Sequence, residues 1–257
     1  MPNVSIVTIA KNNLEDLKET LNSGFCQEGV DYEIVVIDGS DDERIKGYLE
    51  EQVNDRLIWV SEKDSGISDA FNRGVKLSRG DFCIFLNSGD IFLESESAKK
   101  LFEAARSNSS DVIFSGYTVQ FQSGIQISIQ PRVNDIIKGH VLHQSGIFNR
   151  SIFSTFLYDQ YLPVSMDYDL YCFCLIQKKK IKIIPGNLVR FRMGGISNSS
   201  NRSLGCYKVA LRSEYYKYSI RVKYGFSKIS IGALINVILK SLMLGSKLAL
   251  KRALKRS

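Results

Sequence analysis

Asp38 directly follows the apolar run "YEIVVI", and "NSGD", Asn87 to Asp90, directly follows "FCIFL". Runs apolar on both faces suit the middle of a parallel sheet, and open α/β sheets take ligands at the carboxyl ends of such strands. The two stretches therefore stand where a site is expected. A carboxylate just past a second parallel strand can accept hydrogen bonds from a ribose or a base N–H, although Asp before Gly39 is also ordinary turn chemistry. Other run ends hold further polar groups: Thr8, Ala10 and Lys11 close "VSIVTIAK", and Asp64 sits in "EKDSG" after "LIWV". "TIAKNNLED" has no glycine, which speaks against the G-x-G-x-x-G of a nicotinamide-dependent oxidoreductase and the Gly-rich phosphate loop of a sugar nucleotidyltransferase. The two histidines, His140 and His143, are spaced like a metal pair but lack a third ligand motif.

The elements that must position these groups follow from periodicity. The apolar runs at 4–9, 32–37, 57–60, 82–86 and 111–114 are separated by stretches of helical spacing. Strands alternating with helices predict βαβ units and a mixed, mostly parallel sheet flanked by helices. In "DSGISDAFNRGVKL", Ile67, Ala70, Phe71, Gly74 and Leu77 form one stripe, leaving Asp69, Asn72, Arg73 and Lys76 off it; the helix is expected to start near Asp64 or Ser65. "YTVQFQSGIQISIQ" alternates with period two around Ser123-Gly124 and reads as an antiparallel hairpin. Helical spacing returns over Met166–Ile176, "KIKIIP" reads as a further strand, and a helical region follows from about Leu204.

A chain of 257 residues with 44% hydrophobic content can bury a substantial core. Five cysteines without a C-x-x-C pair predict reduced thiols rather than a disulfide framework or zinc knuckle. The start lacks the pattern of a secretory signal, so the cytoplasm is the expected compartment. From Arg212 onward eleven lysines and arginines face one acid, Glu214, giving about +10; with +7 overall, the preceding residues carry about −3. The basicity thus belongs to the tail. Its charges alternate with Ile and Leu, and no stretch is long enough to span a bilayer, which suits an amphipathic helix on an anionic membrane surface better than nucleic acid binding. A terminal helix packed on the body or on another subunit of a homo-oligomer is the other reading.

"VSIVTIAKN", "EIVVIDGS", "EKDSGISDAFNRGVKLSRGDFCIFLNSGD", "HQSGIF", "MDYDLY" and "GGIS" together resemble a family 2 glycosyltransferase of the GT-A fold, notably colanic-acid and other exopolysaccharide transferases. The resemblance covers roughly residues 3 to 198 and implies a catalytic domain at 1–204 with a basic amphipathic helical region at 205–257. It implies an inverting, metal-dependent transfer from a nucleotide-diphosphate sugar, UDP-linked, to a glycan or lipid-linked acceptor in surface polysaccharide synthesis at the inner face of the membrane. The family's acidic loop, commonly Asp-x-Asp, maps onto Asn87 to Asp90; Asp90 alone keeps the carboxylate for Mn²⁺ or Mg²⁺. Donor contacts are expected from Thr8, Ala10, Lys11, Asp38, Asp64, Asp69, Asn72, Asn87, Ser88, Gly89 and Arg192, the last from a loop, "RFRMGGISN", lying over the donor. Asp167 matches the family's base, with Asp169 either the alternative or a helix-dipole acid. "HQSGIF" is implied on the acceptor side through His143 and Gln144, with a structural histidine as the other reading of His143. A non-catalytic nucleotide-sugar-binding or scaffolding protein is the alternative to an enzyme, because the acidic loop is thinned.

Overall fold

In the computed structural model, which describes residues 1–193 and 203–227, the run "VSIVTIA" forms β1 (Val4–Ala10). It lies between two parallel neighbours, β2 (Tyr32–Asp38) and β4 (Phe82–Phe85), with Val4 opposite both Tyr32 and Phe82; β3 (Leu57–Ser61) is parallel to β2. Alternate side chains face opposite cores. Ile6, Ile34, Val36 and Ile84 join Leu17 and Leu21 of α1 (Leu14–Phe25) and Ile45 and Leu49 of α2 (Arg44–Glu50). On the other face Val7, Cys83 and Phe85 meet Phe71 of α3 (Ile67–Leu77). Helices on both faces explain why these strands read as continuous apolar runs.

α3 begins later than its spacing suggests. Asp64 Oδ1 accepts the Gly66 N–H at 3.0 Å, and Gly66 has φ 128°, a conformation no helix includes. The turn therefore occupies residues 64–66, and the helix starts behind it.

The second half inserts antiparallel pairs. β5 (Ile91–Phe92) and α4 (Ser97–Ser107) follow β4; then come β6 (Val112–Gln120), β7 (Gln126–Ile129), α5 (Val133–Ile137), β8 (Gly146–Asn149), α6 (Met166–Ile176), β9 (Ile181–Arg192) and α7 (Ser203–Lys223). Among the described residues the sheet has nine strands, ordered β3-β2-β1-β4-β8-β6-β9-β5, with β7 paired to β6 as the expected hairpin. β8 runs antiparallel to both β4 and β6. "KIKIIP" extends as β9 through Pro185 to Arg192, because Pro185 and Gly186 (φ 96°) sit in a break of the β6–β9 register near Gly116, where no ladder N–H is demanded of proline.

α7 packs on α6, burying Tyr218 and Ile220. Cys26, Cys83, Cys172 and Cys174 are free thiols, the last three buried. No described helix is long and apolar enough to cross a membrane. The "GGIS" stretch and residues 228–257, including most of the expected membrane helix, lie outside the described residues.

Candidate active site

The carboxyl ends of β1, β2 and β3 are knitted into one rim. Gly39 N–H donates to Ala10 O at 3.0 Å. Asn12, at φ 57°, reaches across, donating its backbone N–H to Ser40 Oγ at 2.8 Å and its side-chain amide to Asp41 Oδ2 at 3.1 Å, and accepting the Asp41 backbone N–H on Oδ1 at 2.9 Å. Asp38 is fully buried and shapes its own turn, accepting Ser40 N–H at 3.0 Å and the Ser61 hydroxyl at 2.7 Å. A Cβ on Gly39 would fall 1.9 Å from Asp64 Oδ2, so only glycine admits the Asp64 carboxylate against this turn. The fold thus brings Ala10, Lys11, Asp38 and Asp64 together.

Three other residues expected there turn their polar groups to the scaffold. Thr8 is buried and donates to Leu86 O at 2.8 Å, tying β1 to the end of β4. Asn72 clamps the backbone of Tyr158 in both directions, donating to its carbonyl and accepting its N–H at 2.9 Å each. Asp69 caps the turn before α3, accepting Ser65 N–H at 3.0 Å and pairing with Arg73 at 3.0 Å; these contacts hold its carboxyl below the ordinary range, against the upward push of burial.

The loop after β4 holds Asn87, Ser88, Gly89 and Asp90. Asp90 is 3% exposed; its Oδ1 accepts the Arg192 N–H at 3.0 Å, and Gln144 donates to the same carboxyl group. Burial pushes its pKa up to about 8 in spite of these donors. Asn87 Oδ1 and Ser88 Oγ are buried without a hydrogen-bond partner. Buried orphan oxygens are costly, and together with a desolvated carboxyl group they make a hard-oxygen set of the kind Mg²⁺ or Mn²⁺ takes; a cation there would offset the burial that raises the Asp90 pKa. The set fits such an ion, though sparsely. Among the described residues no group of three or more His, Cys, Asp or Glu is placed to hold a metal ion.

Arg192 reaches this loop through its backbone. Its guanidinium is taken by Asp16 Oδ1 at 2.6 Å and by Glu19, which also pairs with Arg190. The arginine expected to meet phosphate is therefore neutralised by α1, a partnership between segments over 170 residues apart that sequence spacing does not display.

Residues 141–145 run between this loop and the middle of α6. Gln144 touches Asp90, while Val141 O accepts the Tyr171 hydroxyl of α6 at 3.4 Å. His143 does not line a surface: its ring is 4% exposed, stacked on Phe85 at 4.4 Å, with Nε2 3.0 Å from the Tyr158 hydroxyl. Burial lowers its pKa to about 3, so it is a neutral core residue, the structural reading of the two considered. At the N-terminal turn of α6 the two aspartates part. Asp169 is buried and accepts Lys223 Nζ at 3.0 Å on both oxygens. Asp167 is half-buried, has no ion pair within bonding distance among the described residues, and burial raises its pKa.

Sequence reasoning passed over Asp16, Glu19 and Thr20 on α1. The signal for Thr20 was present: it interrupts the buried stripe Leu17, Leu21, Gly24.

Residues 5–183 match the family described as Glycosyl transferase family 2. A glycosyltransferase of Methanocaldococcus jannaschii is 26% identical over 215 residues, covering 78% of this chain and 74% of the relative. A PGL/p-HBAD biosynthesis glycosyltransferase of Mycobacterium bovis is 26% identical over 210 residues, covering 77% of this chain and 80% of the relative. Coverage of some other relatives is smaller, down to 30% of a Rickettsia conorii glycosyltransferase. Among solved structures, S. aureus TarS 1-349 in complex with UDP-GlcNAc matches with a TM-score of 0.64 at 15% identity, over 93% of this chain and 71% of that one. The mannosyltransferase PcManGT from Pyrobaculum calidifontis, in complex with GDP-Man and Mn2+, matches with a TM-score of 0.67 at 12% identity, over 98% of this chain and 75% of that one. At such identities the structural likeness establishes the fold.

Proposed function

The chain belongs to glycosyl transferase family 2 and has its GT-A fold, and on that premise we propose an inverting transfer of sugar from a nucleotide-diphosphate donor to an acceptor hydroxyl. The donor proposed is UDP-linked, and the acceptor a glycan or lipid-linked glycan in surface polysaccharide synthesis at the inner face of a membrane. One observation carries the reading. Residues 141–145 touch a buried carboxylate in an oxygen-rich loop, Asp90, through Gln144, and reach through the Val141 carbonyl the helix α6, whose first turn carries a second carboxylate outside any ion pair among the described residues, Asp167.

Transfer breaks the bond from the anomeric carbon to the diphosphate through an oxocarbenium-like state, and the acceptor hydroxyl must lose a proton as it attacks. Asp167 takes that proton at its carboxylate; Asp169, held by Lys223, is not free to do so. Lys11 and Asp64 form the rim against which the nucleoside lies, with Ala10 and the buried Asp38 shaping the turn beneath and Gly39 keeping the Asp64 carboxylate in contact with it. Asp90 and Asn87, with Ser88 beside them, would hold Mn²⁺ or Mg²⁺, which when bound supplies charge stabilisation to the departing diphosphate. The solved neighbours in complex with UDP-GlcNAc and with GDP-Man and Mn2+ support this reading of the donor.

The thinned loop favours one rival. With Asn87 and Gly89 where acids are common in the family, a chain that binds nucleotide sugars without turnover is the alternative. Calorimetry with UDP, with and without Mn²⁺, followed by donor screening for hydrolysis and transfer by mass spectrometry, separates the two. We expect Mn²⁺-dependent binding and turnover in the wild type, and loss of both in a folded Asp90→Ala variant. Binding without turnover over a broad donor and acceptor panel decides for the scaffold, and an Asp90→Ala variant with unchanged rate and Mn²⁺ dependence refutes the assignment of Asp90.

A further inference from the structure

We infer that Thr20, on the buried face of α1, is a positioning residue that gives the Asn87–Asp90 loop the shape in which it receives its cation and diphosphate. The functional half of this inference rests on the donor-site reading above; the geometric half does not. Thr20 is 1% exposed, and its hydroxyl oxygen accepts the Gly89 N–H at 2.8 Å. The same oxygen lies 2.8 Å from Asp90 O, 3.1 Å from Asp16 O of its own helix and 3.2 Å from Asn87 O. A hydroxyl has one proton to donate and lone pairs to accept with, so the nearest carbonyl, that of Asp90, takes the proton while Gly89 fills a lone pair. Backbone groups from three of the four loop residues therefore converge on a single side chain of another element.

Other bonds on the loop come singly: Ser88 N–H donates to Ile9 O of β1 at 3.2 Å, and Arg192 N–H and Gln144 meet the Asp90 carboxyl group. The loop's internal closure is the Asp90 N–H to Asn87 O bond at 2.9 Å, and Gly89 N–H has a second, longer contact with Asp16 O at 3.2 Å. α1 also grips Asp90 from the side-chain end, since Asp16 and Glu19 hold the arginine whose backbone N–H meets the Asp90 carboxylate. Thr20 fixes the backbone from which that carboxylate and Asn87 Oδ1 project. Packing alone would be served by valine, which has the same shape, at a position flanked by Leu17 and Leu21. What the hydroxyl adds over valine is its bonds to the loop backbone.

The test compares Thr20→Val, Thr20→Ser and Thr20→Ala in the full chain. Amide exchange at Gly89, followed by NMR without ligand, reads the loop directly. Mn²⁺ binding, by the electron spin resonance signal of the free ion, and UDP binding in Mn²⁺, by calorimetry, read its consequence. We expect Thr20→Val to expose the Gly89 amide to exchange and to weaken Mn²⁺ and UDP binding by about tenfold or more, the range usual for groups that orient metal ligands. KM for the donor should rise by more than kcat falls, because the variant disturbs binding geometry and leaves the acceptor base in place. Thr20→Ser should keep both amide protection and affinity within about twofold of the wild type. If the valine variant does not fold, Thr20→Ala removes the same hydroxyl without added bulk and carries the comparison. Unchanged exchange and affinity in a folded hydroxyl-free variant overturns the inference, as does a serine variant as impaired as the valine one, which would make the methyl group the working part. Should the wild type bind neither Mn²⁺ nor UDP, the donor-site reading falls with the functional half, and Gly89 exchange still decides whether Thr20 shapes the loop.

Discussion

At the scale of single residues, environment rather than type assigns the roles. Asp167 and Asp169 sit two positions apart, yet Lys223 takes both oxygens of Asp169 in an ion pair while Asp167 has no ion pair among the described residues and accepts the Tyr168 N–H on Oδ1 at 2.8 Å. Asp167→Asn should lower turnover by roughly 10² or more with nucleotide affinity nearly intact, measured by kcat and calorimetry; an active Asp167→Asn beside a dead Asp169→Asn would reverse the roles. Burial holds the Asp167 pKa above its ordinary value of 3.8. A base must be unprotonated, so kcat/KM should fall as pH drops through that raised value, and an acid limb at or below the ordinary value would count against Asp167. Asn72 behaves differently from what its place beside the rim suggests. Its two bonds to the Tyr158 backbone make it a brace, and Asn72→Ala should cost about 1–3 kcal/mol in urea unfolding, from the buried backbone groups left unpaired, while donor affinity changes little.

At the scale of elements, a polar network at the end of the sheet away from the rim holds its central strands in place. Glu33 of β2, 2% exposed, accepts the Ser5 hydroxyl of β1 at 2.7 Å and the Arg79 side chain at 2.8 Å, just ahead of β4. Ser5 Oγ in turn accepts the Gly80 N–H at 2.9 Å. Burial alone would raise the Glu33 pKa, but the bonds from Ser5 and Arg79 outweigh it and hold the carboxyl below its ordinary 4.5. A depressed carboxyl stabilises the fold above its unfolded pKa, and that contribution is lost as pH falls through the lower folded value. Glu33→Gln should therefore destabilise by about 1–3 kcal/mol at neutral pH, the worth of charge-assisted bonds, with the difference from wild type shrinking below pH 4.5. Urea titrations of both proteins across that range measure it; a difference independent of pH would assign the loss to shape.

At the scale of the whole molecule, charge is segregated along the chain. α7 belongs to the body, with Lys223 paired to Asp169 and Ile220 buried, whereas residues 228–257 carry seven lysines and arginines and no acid. Each basic residue near an anionic bilayer contributes about 1 kcal/mol, weakened by salt. The full chain should co-sediment with anionic vesicles at low salt and detach as salt rises. A chain ending at residue 227 should stay in solution while still binding UDP. Equal sedimentation of the two would transfer the membrane contact to the body, and indifference of the full chain at low salt would make the tail a packing or oligomer helix.

Much of this protein is determined locally and so is readable from its residues. β1 to β4 follow from their continuous apolar runs, the hairpin around Gly124 and α6 from periodicities of two and 3.6, and the places of Asp38 and Asp90 from the strands that end beside them. The antiparallel entry of β8 between β4 and β6 is different. "GIFN" has four residues and no period of its own, and only its two neighbours decide where it pairs. The same holds for the polar groups whose type had two uses. Asn72 and Thr8 could face a ligand or the scaffold, and Tyr158 and Leu86 decided for the scaffold. Arg192 could meet phosphate, but Asp16 and Glu19 reach it first. Hydrogen bonds and ion pairs act over about 3 Å and depend on geometry, so a sequence states which groups can bond, while the tertiary structure alone states which of them meet.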